Sequence, residues 1–137
     1  MHSAFFVEIE GVFRAIKYDE VLYISGTDKK SKIVTKNKNY TVPLALKDFE
    51  EQLPVDLFCR VNAFYIVAVQ NIDSFDEKAA CFGNLCIPMD DEGFRHLISR
   101  LAVVDPAGEM NPGAVSDRVD WEWHLKELRE LGYTGDN

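Results

Sequence analysis

The stretch Phe58-Cys59-Arg60-Val61-Asn62-Ala63-Phe64-Tyr65-Ile66-Val67-Ala68-Val69-Gln70-Asn71-Ile72 is dense in aromatic and β-branched side chains. That composition reads as a buried β-strand entered through a polar turn. About forty residues upstream, Tyr18-Asp19-Glu20-Val21-Leu22-Tyr23-Ile24 reads as a shorter strand of the same kind. Between them the hydrophobic period changes. Leu46, Phe49 and Leu53 fall on one helical face, with Pro43 near the first turn and Pro54 just beyond the end.

Outward from this centre the β rhythm continues. Phe5 to Ile9 and Val12 to Ile16 flank Glu10-Gly11, a hairpin signal. Lys32 to Thr35 and Tyr40 to Val42 read as a second hairpin turned at Asn37-Lys38-Asn39. Ile72 to Phe75, Ala79 to Phe82 and Leu85 to Met89 supply further short strands. Asp90 is placed to cap a helix carrying Phe94, Leu97, Ile98 and Leu101 at i, i+3, i+4 and i+7 spacing, a stripe that belongs to the core. Residues 102–119 hold Pro106, Gly108, Pro112, Gly113 and Ser116 and read as a linker. Asp120 then caps an amphipathic segment, residues 120–132, in which Trp121, Leu125 and Leu128 share a face and His124 lies on the polar side, open to solvent.

These motifs together resemble the LytTR-type DNA-binding domain of bacterial response regulators. The family pattern is roughly D-x-I-x-Y-I-E, then L-x-x-L-E-x-x-L-P, then F-x-R-x-H-R-S-Y-I-V-N. Asp19, Val21, Tyr23 and Ile24 fit the first motif; Leu46, Phe49, Glu50, Leu53 and Pro54 fit the second. Phe58, Arg60, Tyr65, Ile66 and Val67 fit the third, and Ile87-Pro88-Met89 fits a closing I-P-V. The resemblance covers residues 5 to about 101. It implies a mainly β fold of elongated antiparallel sheets with one or two short helices, here extended by a C-terminal helical appendage. The expected division is a LytTR-like domain over 1–101, a linker over 102–119 and an amphipathic helix over 120–132.

The same resemblance implies a transcriptional regulator that binds double-stranded DNA, here without a receiver domain. Family members read DNA from the polar loop after the first motif, from the H-R-S residues, and from a basic S-R-R after I-P-V. In this chain the first place keeps Lys29 and Lys30, with Lys32 beyond them. At the second, His-Arg-Ser is replaced by Asn62-Ala63-Phe64, and at the third the basic triplet has become Asp90-Asp91-Glu92. Lys29, Lys30, Lys32, Arg60 and Asn62 are therefore the candidate DNA contacts.

Charge sharpens the question. The formal net charge is −8, whereas phosphate contacts by Lys and Arg supply most non-specific affinity for DNA. Residues 102–137 carry eight acids against three bases, so much of the excess lies in the tail. Lys29, Lys30, Lys32, Lys36 and Lys38 stand beside a single acid, Asp28. The alternative reading is a degenerate LytTR fold that has lost DNA binding and serves protein interaction or self-association through the C-terminal helix. The acid excess of the tail motivates the idea that it covers the DNA-facing surface as an autoinhibitory flap.

Other chemistries find little support. There is no glycine-rich phosphate loop, no G-x-S-x-G elbow and no H-E-x-x-H, so the chain does not read as an enzyme. The acids of Asp90-Asp91-Glu92 are explained by the helix dipole without a metal, and no cofactor is expected. No apolar run approaches the roughly 20 residues of a membrane helix, and no signal peptide is evident, so a cytoplasmic protein is expected. Cys81 and Cys86 flank a short hairpin turn, where directly opposed cysteines could form a cross-strand disulfide or a redox switch, and the favoured expectation is two reduced strand residues.

Overall fold

The structure, a computed structural model, describes residues 3–104 and 116–134. β1 (Ala4–Ile9) and β2 (Val12–Lys17) form a hairpin of their own. Its turn places Glu10 and Gly11 at φ 51° and 82°. Two successive left-handed residues give the tight turn whose twist matches that of the strands. Next come β3 (Val21–Gly26), β4 (Ser31–Thr35) and β5 (Asn39–Val42), followed by α1 (Leu46–Gln52), β6 (Phe58–Asn62) and β7 (Tyr65–Ala68). These five strands form one antiparallel sheet in the order β5-β4-β3-β7-β6. A third sheet joins β8 (Ser74–Phe75), β9 (Ala79–Phe82) and β10 (Leu85–Pro88). α2 (Asp91–Ile98) and α3 (Trp121–Glu130) are the remaining α-helices among the described residues.

Strand periodicity divides the core in two. On one face of the five-stranded sheet, Ile24, Ile33, Ile66 and Ala68 pack with Leu46, Phe49 and Leu53 around α1 and with Val7 and Ile16 of the first hairpin. On the other, Tyr23, Val34, Tyr65 and Val67 pack with Ala80, Ile87 and Leu97. Both faces are covered, which is why the central strands are apolar throughout rather than alternating.

The fold is the mainly β architecture expected, with instructive departures. The stretch from Phe58 to Ile72 is a hairpin, not one strand. Asn62 Oδ1 accepts the Phe64 amide at 2.7 Å, so the asparagine closes a turn in the middle of an apolar run. In the predicted α2 stripe Leu97 is fully buried but Ile98 remains 38% exposed. The five lysines do not form one patch: Lys29 and Lys30 lie in the β3–β4 turn, Lys36 and Lys38 in the β4–β5 turn at the other end of β4. Cys81 and Cys86 are directly opposed on β9 and β10 and are joined as a disulfide, against the expectation of two thiols. Opposed strand residues bring their Cβ atoms close to disulfide range, so the two-residue turn at Gly83-Asn84 sets up the pairing.

The face of α3 also differs from the expected one. His124, Glu127, Leu128 and Leu131 are buried, whereas Trp121 and Leu125 are 61% and 40% exposed. The buried set has the same i, i+3, i+4, i+7 spacing, but two of its members are polar. Their partners lie in distant strands, which is information that hydrophobic periodicity does not contain.

Candidate nucleic-acid interface

The three segments named from the sequence meet at one end of the domain. Gly26 N donates to the Phe64 carbonyl at 2.9 Å, joining the end of β3 to the β6–β7 turn. Asn62 Nδ2 donates to the Pro88 carbonyl at 2.6 Å, and Asp90 N to the Val61 carbonyl at 3.1 Å, joining that turn to the start of α2. Gly93 makes the last approach possible. A Cβ there would lie 1.9 Å from the Val61 carbonyl oxygen, so α2 rests directly on the β6 backbone.

Within this end, the five candidate residues divide by role. Thr27 Oγ1 accepts the backbone amide of Lys29 at 3.1 Å, shaping the loop that presents Lys29 and Lys30. Among the described residues neither lysine side chain forms an ion pair. Lys32 points elsewhere: its Nζ meets Glu127 Oε1 of α3 at 2.7 Å, with the carboxylate side chain only 8% exposed. Arg60 is fully engaged. It donates to the carbonyls of Asn62 and Ala63 at 3.2 and 2.7 Å and pairs with Glu50 at 2.7 Å. Asn62 uses both ends of its amide on the turn and on Pro88. Arg60 and Asn62 therefore hold the turn in shape, and Lys29 and Lys30 are the cations it leaves available.

A cleft of about 470 Å³ opens here between the β3–β4 turn, the start of α1 and the end of α3, lined by Lys29, Lys47 and Arg60 together with Asp28. A second, of about 250 Å³, adjoins it and is lined by Glu50, Asp90 and Glu92 as well as Arg60 and His96. Arg60 and Ala63 belong to both. Asp90, Asp91 and Glu92 are exposed, and Asp90 caps α2 through the Gly93 amide at 2.7 Å. The acids that replace the basic triplet thus lie on the same end as Lys29.

α3 brings a buried polar cluster against this region. His124 was expected in solvent but is 2% exposed. Its Nε2 lies 2.8 Å from the Cys86 carbonyl, and its Nδ1 lies 2.6 Å from Tyr65 Oη. A carbonyl only accepts, so Nε2 carries the proton and Nδ1 accepts from the tyrosine. Burial lowers the His124 pKa below its ordinary 6.5, although the Cys86 carbonyl, Asp120 and Glu127 act in the opposite sense. Burial, reinforced by Glu127, pushes the Tyr23 and Tyr65 hydroxyls upward, so both stay protonated.

Comparison with known families matches residues 11–103 to the model of the LytTr DNA-binding domain. α3 lies outside that match. Among solved structures, a LytTr DNA-binding domain from Bacillus cereus superposes with a TM-score of 0.58 at 22% identity, covering 72% of this chain and 98% of that one. No curated protein matches the chain. Among the described residues, no helix is long and apolar enough to cross a membrane.

Proposed function

The chain belongs to the LytTR family of DNA-binding domains, and from that premise we propose that it is a cytoplasmic transcriptional regulator whose contact with double-stranded DNA is led by the β3–β4 turn. The observation that carries this reading is the convergence of that turn with the β6–β7 turn and the α2 start through main-chain hydrogen bonds. It makes one rigid reading edge from three separate segments, with Lys29 and Lys30 available on it. Arg60 and Asn62 act as supports of that edge. Asp91 and Glu92 repel phosphate where the family carries cations, so the duplex approaches off-centre, toward Lys29, Lys30 and Lys47.

Each phosphate neutralised contributes a slope of roughly −0.9 to the dependence of log affinity on log salt. Reversing Lys29 and Lys30 to Glu therefore abolishes binding at moderate salt, as measured by fluorescence anisotropy on a duplex from the gene's own upstream region. Unchanged affinity in that variant rejects the β3–β4 turn as the lead contact.

The acidic α2 start favours one alternative, a LytTR fold that has given up DNA for a protein partner. In that reading the exposed Trp121 and Leu125 of α3 are the contact surface. Absence of binding to any duplex at low salt selects it.

A further inference from the structure

We propose that α3 is a lid, acting within its own chain, on the reading edge: the docked helix and the DNA duplex compete for the β3–β4 turn. The proposal rests on the DNA-binding reading above and adds its control.

The lid is held by contacts to the β3–β4 and β6–β7 turns and to the neighbouring strand β4. Thr27, which shapes the turn, donates its hydroxyl to the Leu131 carbonyl at 2.8 Å. This satisfies one of the carbonyls that a helix end leaves unpaired. Lys32 gives its charge to Glu127. The Phe64 ring, in the β6–β7 turn, meets Tyr133 edge-on at 5.0 Å between centroids. Gly132, at φ 102°, reverses the chain against the stem of Lys29, where a Cβ would stand 3.2 Å from Lys29 Cδ. The lysine heads stay open while this segment covers the Lys29 stem and the Phe64 ring, so a duplex drawn in by Lys29 and Lys30 must displace it to seat on both turns.

The docked face, otherwise anchored by His124, Leu128 and Leu131, carries one unsatisfied group. Glu127 Oε2 is buried with no hydrogen-bond partner among the described residues. Leaving a buried acceptor of this kind unpaired costs free energy that undocking recovers. The helix also lies beyond the 11–103 segment matched by the family, so it can leave without removing a strand or core helix of the common scaffold. Apparent DNA affinity is then the intrinsic affinity multiplied by the fraction of molecules with the lid open.

The chain carries its own reporter, since its two tryptophans are Trp121 and Trp123, both in α3. The experiment compares two full-length variants of equal charge, Leu128→Asp on the buried face and Leu125→Asp on the exposed face, by anisotropy with a duplex at low salt. Acrylamide quenching of tryptophan in the wild-type protein, with and without saturating duplex, runs beside it. The expected result is at least tenfold tighter binding by L128D than by L125D, and greater quenching in the wild type once DNA is bound. Equal affinities with unchanged quenching overturn the lid while leaving DNA binding intact. If L128D does not fold, the wild-type quenching decides alone. Failure of all three proteins to bind overturns the DNA-binding reading itself, and the lid with it.

Discussion

Gly93 and Asn62 fix how the β6–β7 turn and the start of α2 meet. With a Cβ at Gly93 lying 1.9 Å from the Val61 carbonyl oxygen, the helix must shift off β6. Gly93→Ala is expected to cost about 1–3 kcal/mol, read as a lower urea midpoint, and to weaken DNA binding without changing its salt slope. His124 gives a pH dependence of definite sign. Its folded pKa is depressed, so above the ordinary 6.5 the imidazole is neutral in both states and carries no penalty. As the pH falls through that value, the unfolded chain takes up a proton that the folded one resists, and stability declines. Urea unfolding between neutral pH and about pH 5.5 should show this loss, and His124→Gln should flatten it. Much of this was hidden in the sequence. Asp90 was legible as a cap because Asp before an apolar-periodic run has few other roles. Arg60 and Asn62 carry side chains that hydrogen-bond bases as readily as backbone, and the backbone partners they have in the folded turn are not encoded in their own segment.

At the scale of elements, hairpins and α1 followed from local chemistry. Glu10-Gly11 and Gly83-Asn84 announced turns, and Leu46, Phe49 and Leu53 announced a buried helical face. The β6–β7 hairpin was less plain, because only Arg60 and Asn62 interrupt its apolar run and no glycine or proline marks the turn. The C-terminal helix was legible as a helix but not in its orientation. His124 and Glu127 face inward to meet Tyr65, the Cys86 carbonyl and Lys32, all contributed by strands far away in sequence. The disulfide between β9 and β10 lies beneath the segment that leads into α3, where Val119 packs against Cys81 and Cys86. Closing so short a loop constrains the unfolded chain modestly, and its loss is expected to cost about 2 kcal/mol. Chemical unfolding with and without dithiothreitol measures this, with Cys81→Ser/Cys86→Ser as the matched variant.

For the whole molecule, the net charge of −8 is a poor guide because charge is unevenly spread. The reading edge holds Lys29 and Lys47 beside one cleft and Asp90 and Glu92 beside the next, so its field changes sign across the width of the turn that joins them. Such an edge selects pose more than it adds affinity. The Lys32–Glu127 contact has one more consequence. Because both partners belong to the same polypeptide, the closed fraction is set by an internal equilibrium and does not vary with how many copies a cell makes. Doubling expression doubles the number of open molecules and no more. A protein silenced by pairing with itself would respond as a curve; one silenced by a helix of its own chain would respond as a straight line.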